Sequence, residues 1–398
     1  MVLSDEWSDL KEPRIERNYQ GYSNFTLIRS PKDPTRKFTG AFHPKIWLLR
    51  FPTFLRFLPS CSLSLLILPN RVVITSGNLT VDDWTTWSNC LWFKDFPKKS
   101  LMISIPDKRP VPEGEFDFDG DFTTTLKTFV QKLMPFPDKQ DYKNLLEINI
   151  DDYYISDIDI VLIASVPGRH SGEDIEKYGH RRVGSVLKKI GFVNPETTSR
   201  DKKHILTYQT SSIGNLDEKF LREILSSFLP NYLTPEELIK KPEKKLKKTK
   251  TLTDMFGGKK QEKQEEESTP PPVVDEASTR VRLVFPTKEY VENCHEGPDF
   301  SGCLILSPET YEKPTFPKEI FHKFQGVDDY AFHEGIIPHL KVFVVTEESG
   351  EVTDDSYIYF GSHNFSPSAW GRYEKDCTQI SISNTELGVL YPPRLGIY

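Results

Sequence analysis

The chain has 398 residues, a formal net charge of −7 and a hydrophobic fraction of 37%. This length is enough for two ordinary domains or one large two-lobed domain with a sizeable core, which excludes a small disulfide-held scaffold. The acidic balance excludes a protein that coats nucleic acid through its overall charge, although a local basic groove is compatible with it.

The chain lacks the sequence marks of a secreted or membrane protein. Its five cysteines are scattered without a CxxC pair, which favours a reducing compartment. The opening residues are polar and have no signal-peptide pattern. The most apolar region, residues 46–74, is interrupted by arginines and prolines and falls short of the roughly 20 apolar residues that a membrane helix needs. We therefore expect a soluble protein.

Short runs rich in β-branched and aromatic residues alternate with helical patterns along the chain. The strands predicted in chain order are Val72–Thr75, Ile158–Ile163, Arg282–Phe285, Val342–Thr346 and Tyr357–Phe360. A helix is predicted for DEKFLREILSSFL, residues 217–229. A composition break at 240–278, first basic and then acidic and proline-rich, predicts a disordered insertion. The alternation on either side of it is typical of an α/β fold.

One short pattern occurs twice, first in GAFHPKIWL and again in IPHLKVFVV. In each copy a histidine precedes a lysine by two residues, and an asparagine follows at a Gly/Ser turn. The two copies are His43, Lys45 and Asn78, and His339, Lys341 and Asn364. A tryptophan stands six residues after each asparagine, at Trp84 and Trp370, where we expect packing in a core.

The repeated residue types are suited to a phosphate. Alternate residues of a strand point to the same face, so the histidine and lysine of each copy would project together. Two such edges facing each other would combine two imidazoles, two ammonium groups and two carboxamides, with no anionic metal ligand. One histidine could attack phosphorus, the other could protonate the leaving oxygen, and the remaining groups could stabilise the phosphate charge. A lone copy would be interpreted as a solvated strand edge, and the repetition favours catalysis.

These motifs resemble those of the phospholipase D superfamily. Its usual motif has an aspartate five residues after the lysine, where this chain has Arg50 and Thr346. That difference, together with TSGNL, SVPGR, GSHNFSPSAWG and CTQISISNTELGVLYPP, is similar to the tyrosyl-DNA phosphodiesterase branch, over roughly residues 24–393. The resemblance implies an α/β fold with two similar α-β-α sandwich domains packed around one shared active site.

The resemblance and the composition break together predict the domain organisation. The expected parts are a first domain at 1–164, the start of a second domain with DNA-binding loops at 165–239, the insertion at 240–278, and the rest of the second domain at 279–398. Compared with the family, the chain begins close to the first motif and stops soon after Glu386, so we expect it to be shortened at both ends. The apolar segment before Asn78 is either an extra loop or an error of gene prediction.

The resemblance also implies roles for individual residues. His43 corresponds to a nucleophile that forms a covalent phosphohistidine on a DNA 3′ end, and His339 to an acid that protonates the departing tyrosine and then activates water. Asn89, where the family has Gln, and Glu386 would each orient a catalytic histidine. The phosphate-binding set would be Lys45, Lys341, Asn78 and Asn364. No metal ion or other cofactor is implied.

The DNA strand is expected to lie along loops of the second domain. The small residues and the arginine of SVPGRHSG and the serines of YQTSSIGNL would contact its phosphates. The predicted substrate-binding residues are Ser165, Gly168, Arg169, Ser211, Ser212 and Ser366. Pro367 stands where related proteins often have a basic residue, which would weaken one contact.

The resemblance therefore implies an enzyme of DNA repair, which we expect to be monomeric and nuclear. Its substrates would be single-stranded DNA 3′ ends carrying a tyrosyl or topoisomerase I peptide adduct, or other 3′-blocking groups. The block KKPEKKLKK is a candidate nuclear import signal, and TKTLTDMFGG predicts weak binding to the sliding clamp through Leu252, Met255 and Phe256. Two alternatives stay open: another phosphodiesterase, nuclease or phospholipase of the superfamily, and a DNA-end-binding protein with impaired catalysis.

Overall fold

The computed structural model describes residues 41, 43–50, 70–78, 81–102, 104–107, 110–133, 149–192, 203–229, 232–239, 277–324 and 335–393. The strands in these ranges form one seven-stranded sheet, two three-stranded sheets and one two-stranded sheet, with helices packed between them. The predicted α/β class is confirmed. None of the helices in the ranges given is long and apolar enough to cross a membrane.

The helices and strands are numbered here in chain order. The strands are β1 (Ile46–Arg50), β2 (Asn70–Thr75), β3 (Trp87–Ser88), β4 (Leu91–Phe96), β5 (Val161–Ser165), β6 (Gly168–Ser171), β7 (His204–Gln209), β8 (Val281–Phe285), β9 (Phe321–Lys323), β10 (Ile337–Pro338), β11 (Val342–Glu347), β12 (Tyr357–Gly361), β13 (Arg372–Glu374), β14 (Gln379–Ile382) and β15 (Glu386–Tyr391). The helices are α1 (Val81–Thr85), α2 (Phe118–Leu133), α3 (Gly179–Lys189), α4 (Glu218–Phe228), α5 (Pro235–Ile239), α6 (Lys288–Glu292), α7 (Pro308–Tyr311) and α8 (Pro367–Trp370).

The large sheet has the strand order β5-β15-β12-β11-β7-β8-β9. The strands from β5 to β7 pair antiparallel, and β8 and β9 continue in parallel. The last strand of the described chain, β15, is inserted between β5 and β12. Its first residue, Glu386, is therefore brought into the interior, where its side chain is fully buried.

The strands β5 and β15 are buried on both faces, because two separate cores pack against them. Val161 and Ile163 of β5 belong to the core that contains α3 and α4. Leu162 and Ala164 point the other way, into a core shared with α2 and the small sheet β1-β2-β4. A strand buried on both faces has no need of polar alternation, which explains the continuous apolar run VLIA.

The predicted helix at 217–229 is present as α4. Asp217 caps it, since its carboxylate accepts a hydrogen bond of 2.8 Å from the N–H of Phe220. Phe220, Ile224 and Phe228 recur at intervals of four residues and are fully buried. This is the apolar stripe of a helix that packs against a sheet.

The five predicted strands all correspond to strands of the structure, with ends that differ by at most three residues. The largest difference is at Ile158–Ile163, which is observed as Val161–Ser165. The placement of the two histidine–lysine pairs within strands is wrong. They stand just before β1 and β11, in segments whose neighbouring backbone pairs with the other half of the chain.

The predicted domain limits stay a prediction, although two details of the structure bear on them. The limit between residues 164 and 165 falls inside β5, which contributes to both cores. Ala277 is buried and begins a 3₁₀ turn at Ala277–Arg280, so the last two positions assigned to the insertion belong to the folded part. The rest of the insertion, including the import signal and the predicted clamp peptide with Leu252, Met255 and Phe256, lies outside the described residues.

The two tryptophans of the repeat differ in their environment. Trp370 is fully buried, and its ring stacks on His363 with a centroid distance of 4.2 Å. Trp84 is 40% exposed and donates from Nε1 to the carbonyl oxygen of Asn78 at 2.7 Å. The expectation of core packing is therefore confirmed for Trp370 and wrong for Trp84.

This difference predicts unequal effects of truncation on stability. Trp370→Ala should lower the free energy of unfolding by about 3–5 kcal/mol, because it leaves a large cavity in a packed core. Trp84→Ala, the matched change in the first copy, should cost about 1 kcal/mol, since it removes one hydrogen bond at a partly exposed site. Urea denaturation followed by circular dichroism measures the free energy of unfolding of both variants. Equal losses of stability would contradict the different burial of the two tryptophans.

Candidate active site

The segment that carries His43 pairs with residues near the other end of the chain. The N–H of His43 donates to the carbonyl of Thr385 at 2.9 Å, and the N–H of Thr385 donates to the carbonyl of Ala41 at 2.9 Å. These bonds fix the backbone that leads into the histidine against the residue that precedes β15. The imidazole is thereby placed next to Glu386.

Glu386 holds the imidazole of His43 through a buried hydrogen bond. Its Oε2 lies 3.0 Å from Nδ1 of His43, and the carbonyl of Ser362 lies 2.9 Å from the same nitrogen. Both partners are acceptors, so Nδ1 carries the proton and Nε2 is left as the basic nitrogen. Glu386 also accepts from the hydroxyl of Ser362 and from Nδ2 of Asn384.

The charge of Glu386 is stabilised despite its burial. Burial alone would raise the pKa of this carboxyl. The charge and hydrogen bond of His43, with smaller contributions from His363 and Lys45, outweigh burial and hold the pKa below its ordinary value. A glutamate that would usually lie on the surface is therefore an ionised group inside the protein.

The second histidine, His339, is oriented by residues of the first half of the chain. The short strand β10 pairs in parallel with β3, which brings His339 beside Asn89. Oδ1 of Asn89 lies 2.9 Å from Nδ1 of His339 and also accepts from the hydroxyl of Ser76 at 2.8 Å. The ring of Trp87 lies against the imidazole, with a centroid distance of 5.1 Å.

The orienting groups are thus exchanged between the two halves of the chain. His43 is oriented by Glu386 and Ser362 from the second half, and His339 by Asn89 from the first half. Neither histidine is oriented through these bonds by its own half. The two copies of the motif therefore form one site, which exists only when both halves are packed together.

The two lysines have the same local geometry. Each ammonium folds back onto the carbonyl oxygen of its own histidine, at 2.9 Å in the first copy and 2.8 Å in the second. Each lysine carbonyl accepts from the N–H that lies three residues before the asparagine, that of Thr75 or Gly361, at 3.0 Å in both copies. The repeat recognised in the sequence is therefore also a repeat in backbone structure.

The two asparagines are held by different partners. Oδ1 of Asn364 accepts from the hydroxyls of Thr210 and Ser211 and from the N–H of Ser212, at 3.0, 3.3 and 3.1 Å. A backbone N–H can only donate, so this atom is the oxygen, and the amide nitrogen is left to donate elsewhere. In the first copy, the N–H and Nδ2 of Asn78 both donate to a buried carboxylate, that of Asp83.

The charges around His339 disfavour its protonated form. Burial is the main cause that lowers its pKa well below the ordinary value, and the charges of Lys341, Lys45 and His43 add to it. The ammonium of Lys341 lies 2.7 Å from Nε2 and, being a donor only, makes that nitrogen an acceptor. The imidazole is therefore neutral, in a site where positive groups converge as an anion would require.

The predicted DNA contacts are only partly brought to this site. Ser211 and Ser212 contact Asn364, as described above. The hydroxyl of Ser366 caps α8 by accepting from the N–H of Ala369 at 3.2 Å, next to the same asparagine. Ser165 is not brought to the surface, because its hydroxyl is fully buried, donates to the carbonyl of Ala369 and contacts Nε2 of His363.

Gly168 and Arg169 lie apart from these contacts, on β6. This strand pairs with β14, and Gly168 begins it with φ of 148°, a conformation that favours glycine. The guanidinium of Arg169 pairs with Glu374 at 3.1 Å, and its side chain is 60% exposed. It is accessible to a phosphate at the surface, and its role as a DNA contact stays a prediction.

The sequence analysis missed Asp83. The side chain is fully buried and contacts both Asn78 and the imidazole of His339. An acidic residue in the first turn of a helix is usually interpreted as a favourable interaction with the helix dipole, so DDW carried no distinguishing signal. Within the described ranges, no group of three His, Cys, Asp or Glu side chains converges as a metal site would.

Most of the chain is similar to known proteins. The sequence model of the tyrosyl-DNA phosphodiesterase family matches residues 1–397. Tyrosyl-DNA phosphodiesterase 1 of Arabidopsis thaliana is 30% identical over 329 residues, which cover 81% of this chain and 44% of the plant protein. The Drosophila melanogaster protein of the same name is 26% identical over 334 residues, covering 81% and 47%. The chain thus spans less than half the length of these relatives.

Solved structures show the same fold at low sequence identity. The crystal structure of yeast tyrosyl-DNA phosphodiesterase matches with a TM-score of 0.56 and 16% identity, covering 94% of this chain and 71% of the yeast chain. A point mutant of the yeast protein gives a TM-score of 0.54 and 15% identity with the same coverage. The α/β fold expected from the resemblance is therefore also the fold of yeast tyrosyl-DNA phosphodiesterase.

The buried pair of His43 and Glu386 predicts a pH-dependent loss of stability on substitution. Because the pKa of Glu386 is lowered in the folded state, its contribution is present above the ordinary value of 4.5 and is lost as the pH falls through the folded-state value. Glu386→Gln should cost about 3 kcal/mol at neutral pH. The difference in the free energy of unfolding between this variant and wild type should become smaller as the pH falls below 4.5.

Urea unfolding of both proteins across the acid range measures this difference. Asp95→Asn, which removes a partly exposed carboxylate paired with Arg71, serves as a control that should cost about 1 kcal/mol or less. A cost for Glu386→Gln that stays constant into acid would contradict the charged, buried pair.

Proposed function

Because the chain belongs to the tyrosyl-DNA phosphodiesterase family, we propose that it is a DNA-repair phosphodiesterase that hydrolyses 3′-phosphotyrosyl bonds. Its substrates would include the adducts of stalled topoisomerase I and other 3′-blocking groups on single-stranded DNA ends. The observation that carries this proposal is the exchange of orienting groups, which holds His43 and His339 in one buried site with Lys45 and Lys341.

In the proposed first step, Nε2 of His43 attacks the phosphorus atom. A phosphorus–nitrogen bond forms, the bond to the tyrosyl oxygen breaks, and His339 donates a proton to the departing phenolate. As positive charge develops on the imidazole of His43, the carboxylate of Glu386 on Nδ1 stabilises it. The products are free tyrosine or peptide and a DNA strand bound covalently to the enzyme.

The phosphate would be held by the lysines and the asparagine nitrogens. An ammonium group has three donors, so Lys45 and Lys341 can keep their bonds to the histidine carbonyls and also donate to non-bridging oxygens. An incoming phosphate would draw the ammonium of Lys341 away from Nε2 of His339. That nitrogen would then be able to carry the proton that the first step requires.

In the proposed second step, water attacks the phosphohistidine. His339, now neutral, accepts a proton from the water, the phosphorus–nitrogen bond breaks, and a DNA 3′-phosphate is released. Ser211, Ser212, Ser366 and Arg169 are proposed contacts of the DNA strand, and the enzyme would act in the nucleus as a monomer. The position of Ser211 and Ser212 against Asn364 supports a strand that passes beside the reacting phosphate.

The first test is turnover of a single-stranded oligonucleotide that ends in 3′-phosphotyrosine. Purified wild-type protein in excess EDTA should convert it to the 3′-phosphate, because the proposed chemistry needs only side chains. His43→Ala serves as the inactive control, and Asp95→Asn, which changes a carboxylate paired with Arg71, as a variant expected to keep activity. Binding of the oligonucleotide without turnover would contradict the proposal and favour a DNA-end-binding protein.

Changing His339 should separate the two steps. His339→Ala should reduce turnover by about 10²- to 10⁴-fold, the usual contribution of a general acid–base residue. With a 3′-(4-nitrophenyl) phosphodiester, whose leaving group departs without protonation, the first step should still occur and a covalent protein–DNA species should accumulate on denaturing gels. His43→Ala should give no such species, and an adduct in that variant would contradict the assigned roles.

A further inference from the structure

A second buried carboxylate, that of Asp83, lies on the His339 side of the site. Asp83 is the third residue of the short helix α1, and its side chain is fully buried. Its Oδ1 accepts from the backbone N–H of Asn78 at 2.8 Å and from Nδ2 at 3.2 Å, and Oδ2 lies 3.3 Å from the same Nδ2. One carboxylate therefore fixes both the backbone and the side chain of a proposed phosphate-binding asparagine.

The same residue also supports His339. Oδ1 of Asp83 lies 3.6 Å from Nδ1 of His339. Its backbone carbonyl accepts from Nδ2 of Asn89 at 2.6 Å, and the oxygen of that amide contacts the same imidazole nitrogen at 2.9 Å. Asp83 thus reaches the imidazole by its charge and also through Asn89.

We infer that Asp83 is a positioning residue of the proposed reaction, whose carboxylate keeps His339 able to serve as the acid while it holds Asn78 against the phosphate. This inference rests on the proposed function. Glu386 occupies the corresponding place beside His43, at 3.0 Å from its Nδ1. Each histidine would then have one buried carboxylate, supplied by a residue outside its own histidine–lysine motif.

The charges that face His339 explain why a carboxylate is needed there. Lys341, Lys45 and His43 are the positive or ionisable groups whose charges disfavour an imidazolium, and burial acts in the same direction. Among the described residues, Asp83 is a negative group whose distance to the imidazole is within reach of an ion pair. Opposite charge at this range favours the protonated form of a histidine.

The ordinary explanation for an acidic residue at this place is the helix dipole. Asp82 stands in the same turn of α1 and is only half-buried, so it can serve that purpose at the surface. Asp83 is instead directed into the site, where two groups of the proposed reaction contact it. Asp82→Asn is therefore a matched control, since it removes one negative charge from the same helical turn without touching these contacts.

The experiment compares two leaving groups in the 398-residue chain. Single-turnover rates would be measured for wild type, Asp83→Asn and Asp82→Asn on oligonucleotides with a 3′-phosphotyrosyl or a 3′-(4-nitrophenyl) phosphate group. Asp83→Asn keeps an oxygen that can accept from Asn78 but loses the charge. The rate on the tyrosyl substrate should fall about 10- to 100-fold, as for other residues that support a catalytic group. The rate on the nitrophenyl substrate should change little.

The pH profile gives a readout that a merely structural role would not move. Without the carboxylate, His339 loses its proton at lower pH, so the alkaline limb for the tyrosyl substrate should shift to lower pH in Asp83→Asn. It should stay in place in Asp82→Asn. Asp83→Glu, which keeps the charge, should retain the alkaline limb of the wild-type pH profile. If Asp83→Asn does not fold, the comparison of Asp83→Glu with wild type is the test.

The outcomes separate this inference from the proposed function. The role of Asp83 would be overturned if Asp83→Asn lowered the rates on both substrates equally or left the alkaline limb of the pH profile in place. It would also be overturned if Asp83→Glu shifted that limb, or if Asp82→Asn had the same effect as Asp83→Asn. Wild-type protein that fails to turn over either substrate would overturn the proposed function itself. Wild-type turnover of both substrates with a selective loss in Asp83→Asn is the expected result.

Discussion

The buried contact between His43 and Glu386 is the constraint on which the rest of the site depends. It joins residues 343 positions apart, and both side chains are almost completely inaccessible to solvent. A buried carboxylate is tolerated only when it is paired and hydrogen-bonded, so Glu386 requires the first half of the chain to be in place. The insertion of β15 between β5 and β12 provides that placement, and the cores on both faces of β5 and β15 maintain it.

The same constraint explains why so many polar groups lie inside this protein. Lys45 and Lys341 are as buried as core residues, which is unfavourable for a fold and is what the proposed phosphate site would require. The two copies make the same hydrogen bonds. In each, the lysine ammonium donates to the carbonyl of its histidine, and the lysine carbonyl accepts from a backbone N–H, that of Thr75 or Gly361. Stability and site geometry are therefore determined by the same contacts.

Patterns within the sequence predicted what is local, whereas the distant pairing of Glu386 and Asn89 with the histidines was expected only from the family resemblance. The strands and α4 could be predicted because apolar spacing is determined by neighbouring residues, and the histidine–lysine motif because it is short and occurs twice. The pairing of residue 385 with residues 41 and 43, and of β10 with β3, joins segments hundreds of residues apart, for which no local pattern exists. For the same reason the burial of Ser165, the exposure of Trp84 and the inward direction of Asp83 were visible only in the structure.

The most direct test of the central claim is to identify the residue that carries the DNA during turnover. Wild-type protein would be mixed with a 3′-phosphotyrosyl oligonucleotide and quenched in alkali, which preserves phosphorus–nitrogen bonds to histidine. Digestion and mass spectrometry would then locate the nucleotide. A single modified peptide with the nucleotide on His43 is the predicted result. Attachment to His339 or to any other residue, or turnover without an attached nucleotide at any quench time, would contradict the shared two-histidine site.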